Sequence, residues 1–128
     1  MYELKIDRVK NRLYITLEGF FSAEEMKQCS DETIEAVKQL KPEYDVITDI
    51  SRFSPVGPET LQEITRVQVY FRESGVRHGV RIVGNRVITE MQFKRLGKGV
   101  GYTPTDVATL AEAERFLDSQ KKGSDTGT

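Results

Sequence analysis

The residues able to do chemistry in this chain are few and scattered. The one histidine, His78, follows Gly75-Val76-Arg77 at the start of a strand pattern. Nucleophilic catalysis needs a nucleophile held by a base. At the amino end of a parallel strand, His78 would lie on the wrong side of the sheet to serve the loop at 51–60, so it reads as a surface or turn residue. The one cysteine, Cys29, falls on the apolar stripe of a helix, where a thiol acts as a small hydrophobe. Asp45 and Asp49 share one face of a strand but stand about 13 Å apart, too far to hold one metal ion. Asp49 and Arg81, each a charge inside an apolar run, read as a structural ion pair, or else as a polar contact at a pocket floor. Arg52 and Arg86 each precede or open a helix, and together they could meet an anion there. No glycine-rich phosphate loop accompanies them, because Gly84-Asn85-Arg86 lacks the required spacing. No metal or cofactor site is expected.

The stretch that must position such groups is 44–71, YDVITDISRFSPVGPETLQEITRVQVYF. Val46, Ile47, Thr48 and Ile50 suit a strand buried on both faces. Gly57 and Pro58 then form a cap and first-turn pair, and Leu61, Ile64, Val67 and Phe71 continue at helical spacing. Strand, loop and helix make half of a βαβ unit, whose ligand-facing rim lies at the carboxyl ends of the strands. The interaction or ligand loop is therefore placed at Arg52, Phe53, Ser54, Pro55, Gly57 and Thr60. Val69 and Tyr70 lie off the stripe of this helix, and Phe93 and Leu96 off that of the next. Tyr70, Arg86 and Phe93 accordingly mark a candidate groove for a partner, a ligand or a second subunit.

The rest of the chain supplies a frame for that unit. Tyr2, Leu4 and Ile6 alternate with charges, Lys10-Asn11 offers a tight turn, and Leu13, Ile15 and Leu17 alternate again, which predicts an antiparallel hairpin. Ser22 with Glu25 is a capping box and Phe21 with Met26 its staple. They open a helix with Met26, Cys29, Thr33, Val37 and Leu40 inward, ending near Lys41-Pro42. Val80, Ile82 and Val83 predict a strand, 86–96 a third helix, and 102–108 a short edge strand carrying Pro104. Thr109 with Glu112 caps a last helix with Leu110, Ala113, Phe116 and Leu117 inward. The order is ββαβαβαβα: one α/β domain over 1–119, with a mostly parallel sheet, an antiparallel N-terminal hairpin and flanking helices. The polar segment 120–128 is expected to be disordered.

Composition bounds the function. The 128 residues are 38% hydrophobic and include ten glycines, enough for one globular domain. Nineteen basic against twenty acidic residues give a net charge of −1, which argues against nucleic-acid binding and against a polybasic membrane patch. A single cysteine precludes an internal disulfide, and neither a secretory leader nor a membrane-spanning run is visible, so a cytoplasmic location is expected.

The element order, with Asp45-Val46-Ile47-Thr48-Asp49-Ile50-Ser51 running into a proline-containing loop and Leu13-Tyr14-Ile15-Thr16-Leu17-Glu18-Gly19 preceding the first helix, resembles the STAS domain family. The closer likeness is to its SpoIIAA-like branch of small bacterial proteins, the anti-sigma-factor antagonists. The resemblance implies a non-enzymatic interaction domain with a protein partner, such as a kinase or sigma-regulatory protein, or a second copy of itself. In antagonists a serine at the start of the second helix is phosphorylated by a partner kinase. Here the corresponding stretch, 56–60, reads Val-Gly-Pro-Glu-Thr, leaving Ser54 and Thr60 as the nearest hydroxyls. Some relatives of this architecture bind lipids or nucleotides, which keeps open a carrier or sensor of a small apolar or anionic ligand.

Overall fold

The computed structural model describes residues 1–54, 57–84 and 100–126. Among them the order is β1 (Tyr2–Asp7), β2 (Arg12–Gly19), α1 (Ala23–Val37), β3 (Tyr44–Phe53), α2 (Pro58–Glu73), β4 (Val76–Ile82), β5 (Thr105–Val107) and α3 (Leu110–Thr126). The strands form one sheet in the order β1-β2-β3-β4-β5. The β1–β2 pair is antiparallel and every other neighbour is parallel. The expected α/β architecture is therefore present, with β3 in mid-sheet and the short β5 at an edge. The helix expected over 86–96 lies outside the described residues. The last helix continues to Thr126, into the segment whose composition suggested disorder.

Local signals account for most of these boundaries. Asn11 closes the β1–β2 turn at φ 55°, a left-handed conformation that asparagine tolerates better than most residues. Its side chain also ties down the connection into β3: the amide donates to the Lys41 and Glu43 carbonyls at 2.7 and 3.2 Å, and its oxygen accepts the Lys41 N–H at 2.9 Å. At α1 the Glu25 N–H donates to Ser22 Oγ at 3.0 Å. At α3 the Glu112 N–H donates to Thr109 Oγ1 at 3.2 Å while the Glu112 carboxylate accepts the Ala108 N–H. These bonds satisfy donors that a helix start leaves without partners.

The two sheet faces are covered differently. On one, Leu13, Ile15, Leu17, Val46, Ile50 and Phe53 pack beneath α1 and α2 against Met26, Cys29, Val37, Ile64 and Phe71. On the other, Ile47, Val80 and Ile82 meet Ala113 and Leu117 of α3. Strand alternation produces this split: Val46 and Ile50 point one way and Ile47 the other, so β3 is apolar on both sides.

Candidate functional site

The carboxyl ends of β2 and β3 and the amino ends of α1 and α2 meet at one rim. Gly19 ends β2 at φ 73°, and its carbonyl accepts the Ser54 N–H at 3.1 Å, so the two strand exits are tied together. One turn earlier, Asp49 Oδ1 accepts both the backbone N–H and the hydroxyl of Ser51, at 2.9 and 2.6 Å. Gly57 is the N-cap of α2 with no side-chain bond, and Pro58 opens the helix. Between the two helix starts lies a groove of about 270 Å³ lined by Ala23, Gly57, Pro58, Glu59 and Thr60. On the same rim Phe20 stands 79% exposed. The sequence signal for Phe20 is a second aromatic beside Phe21, one more than a staple needs.

The residues expected at this loop do not all reach the surface. Phe53 extends β3 and is fully buried, edge-on to Phe21 with ring centroids 5.4 Å apart, so it belongs to the core and not to an exposed loop. Thr60 is 5% exposed and its hydroxyl donates to the Gly57 carbonyl at 2.8 Å. Ser54 is half-buried, which makes it the more accessible of the two candidate acceptors. Arg52 is exposed and lies 3.7 Å from Glu18, its register partner on β2. Tyr70 packs half-buried against the main core. Pro55, Arg86 and Phe93 lie outside the described residues, and with them the arginine pair and the groove expected at Tyr70 and Phe93.

The ion-pair expectation is corrected. Asp49 registers with Ile82 and Thr48 with Arg81, so Asp49 and Arg81 point to opposite faces of the sheet. Arg81 donates instead to Asp106 on β5, at 2.9 Å. The buried carboxylate of this fold is Asp45, which accepts a two-pronged hydrogen bond from Arg77 at 3.1 and 3.0 Å. Beside it sits Arg12, wholly buried, which binds Glu114 and, at 3.0 Å, Asp118 of α3. Tyr14 donates to the same Glu114 at 2.8 Å.

Cys29 is buried, and burial pushes its thiol up to about 11, so it is a core side chain as expected. His78 sits in β4 with its ring edge-on to Phe116 of α3, 5.9 Å between centroids. A pocket beneath α1 and α2 is lined mainly by apolar groups, Cys29 and Gln68 among them, and measures about 50 Å³. That is a third of the ~150 Å³ known to admit benzene, too little for a lipid-like ligand. Among the described residues no cluster of three metal-ligating side chains occurs, and no helix is long and apolar enough to cross a membrane.

Comparison with known proteins rests on shape. No protein-family model matches the chain, and no curated protein matches it. The solved structure of the anti-sigma factor antagonist SpoIIAA in its unphosphorylated form is similar over 92% of this chain and 98% of that one, with a TM-score of 0.64 and 14% identity. At that identity the likeness speaks to the fold, and it agrees with the mixed five-stranded sheet and its two-faced helical cover. The chain has the SpoIIAA-like fold.

Proposed function

We propose that the chain is a non-catalytic regulatory module that acts by docking a partner protein on the rim formed by Phe20, Ser54 and Gly57–Thr60, with α2 alongside. The observation that carries this reading is Phe20: a large aromatic side chain, 79% exposed, on the rim that also carries a groove between two helix starts. Solvent-exposed aromatics beside a concavity are the usual anchors of protein interfaces. The SpoIIAA likeness supports a regulatory role, since that protein is an anti-sigma factor antagonist. Ser54 is the hydroxyl through which phosphorylation would add charge to the rim.

Val9 supplies the control, because it is 96% exposed at the opposite, hairpin end of β2. Proteins retained by the wild-type chain from an extract of its host should be lost with Phe20→Asp and kept with Val9→Asp. The same comparison by sedimentation velocity reads self-association, the outcome if the partner is a second copy. Equal behaviour of the two variants in both measurements would remove the rim from consideration.

A further inference from the structure

The opposite end of the sheet carries a second concavity. A cleft of about 310 Å³ opens between the last turn of α2, the start of β4 and the segment 101–105 leading into β5. Its lining residues include Arg72, Arg77, Tyr102, Thr103 and Thr105, and among the described residues no carboxylate lines it. Arg77 is committed to Asp45, whereas Arg72 is exposed and pairs with no described residue. The Arg72 stem runs over Gly101, where an added Cβ would stand 3.3 Å from its Cδ.

Tyr102 is the unusual member. It is 7% exposed, with its ring against Phe71 at 5.5 Å between centroids, yet its hydroxyl has no hydrogen-bond partner among the described residues. Tyr102 lines the cleft, and its hydroxyl lies against β4 at Gly79, where a Cβ would come within 2.1 Å of its oxygen. Glycine at 79 is thus what admits a phenol tip between strand and cleft. Burial raises the Tyr102 pKa, so the group stays a neutral O–H donor.

We propose that this cleft binds a small phosphorylated metabolite, its phosphoryl group held by the Arg72 guanidinium and the Tyr102 hydroxyl. A guanidinium and neutral hydroxyl donors are the groups that recognise phosphoryl oxygens, and Thr103 is a further hydroxyl-bearing residue of the lining. The volume lies at the small end of ligand pockets, which suits a monosaccharide phosphate and excludes a dinucleotide. The site is remote from the docking rim and independent of the reading given to it.

The test is an amide-resolved NMR titration of the full chain with inorganic phosphate and with ribose 5-phosphate, at constant ionic strength, with ribose as the neutral control. Saturable shifts centred on Arg72, Gly79 and 101–105 are expected, with the sugar phosphate binding at least about tenfold tighter than phosphate alone. Arg72→Gln and Tyr102→Phe should each weaken that binding about tenfold. Tyr102→Phe removes only an unpaired hydroxyl, so its spectrum should remain that of the folded chain and separate loss of binding from loss of fold. Absence of saturation at millimolar ligand, shifts centred on the Phe20 rim, or unchanged binding in both variants would overturn the proposal.

Discussion

Arg12 and Asp45 face each other across β2 and β3, register partners with Arg12 Nη2 3.9 Å from Asp45 Oδ2, and both are sealed from solvent. Around this pair the chain gathers Arg77 from β4 and Glu114 and Asp118 from α3, so one buried charge cluster ties the second sheet face to the last helix. Taking one partner from such a cluster strands the others in a low-dielectric interior. Asp45→Asn should therefore cost about 3–5 kcal/mol in urea unfolding, since Arg77 would lose its carboxylate and the buried Arg12 one of its three. Asp118→Asn, at an exposed position, should cost no more than about 1 kcal/mol. Equal losses would mean that burial does not set the strength of these contacts.

Much of the scaffold could be read from the residues because its signals are local. Asn11 at the hairpin, Ser22 and Thr109 at helix starts, and the β-branched run in β3 each act on the backbone within a few positions. The pairing of Asp49 with Arg81 fails because charge pairs depend on register, which no local pattern fixes. Asp49 and Arg81 sit on adjacent strands, yet a one-residue offset sends them to opposite faces. No local pattern marks Arg12, because its partners at 114 and 118 are far away in sequence. At the rim the apolar run stops at Ile50, which points to a loop at Phe53, while the ladder with β2 continues through Glu18–Arg52 and Gly19–Phe53. The cleft at Tyr102 depends on the close approach of Gly79, which spacing alone does not reveal.

Alkaline pH should unfold the protein in a defined window. Burial pushes the Cys29 thiol from 9.0 up to about 11, and the Tyr14 and Tyr44 hydroxyls from 10.0 up to about 12. In the unfolded chain these groups lose their protons near their ordinary values. Between about pH 9 and pH 12 the unfolded state therefore binds fewer protons than the native one, and stability falls as pH rises. Below pH 9 these three groups contribute no slope. Melting temperature against pH should be level up to about 9 and then decline, with tyrosinate absorbance appearing together with the loss of far-UV circular dichroism. At pH 8 a disulfide reagent should label Cys29 only at the rate of unfolding; immediate labelling would show an accessible thiolate.

Asn11 combines a left-handed backbone with three side-chain hydrogen bonds to the segment before β3, and two substitutions separate the contributions. Asn11→Gly keeps the conformation free of strain and loses the bonds, for about 1–2 kcal/mol because they are partly wet. Asn11→Ala loses the bonds and also places a Cβ at positive φ, which adds about 1 kcal/mol. Denaturant midpoints should rank wild type above glycine above alanine. If alanine equalled glycine, the turn would have relaxed out of the left-handed region.

Gln68 lies in the buried stripe of α2 between Ile64 and Phe71, 3% exposed, facing the pocket shared with Cys29 and Met26. Its Oε1 has no hydrogen-bond partner among the described residues. A buried acceptor left without a donor costs about 1–3 kcal/mol, and methionine matches glutamine in length while bringing no polar atom. Gln68→Met should thus stabilise the chain by about 1 kcal/mol and raise its melting temperature by a few degrees. Gln62→Met, on the exposed side of the same helix, should change stability by less than about 0.5 kcal/mol. A loss of stability on Gln68→Met would show instead that the amide is satisfied in solution. The polar position on an otherwise apolar helix face would then be part of what holds α2 in place.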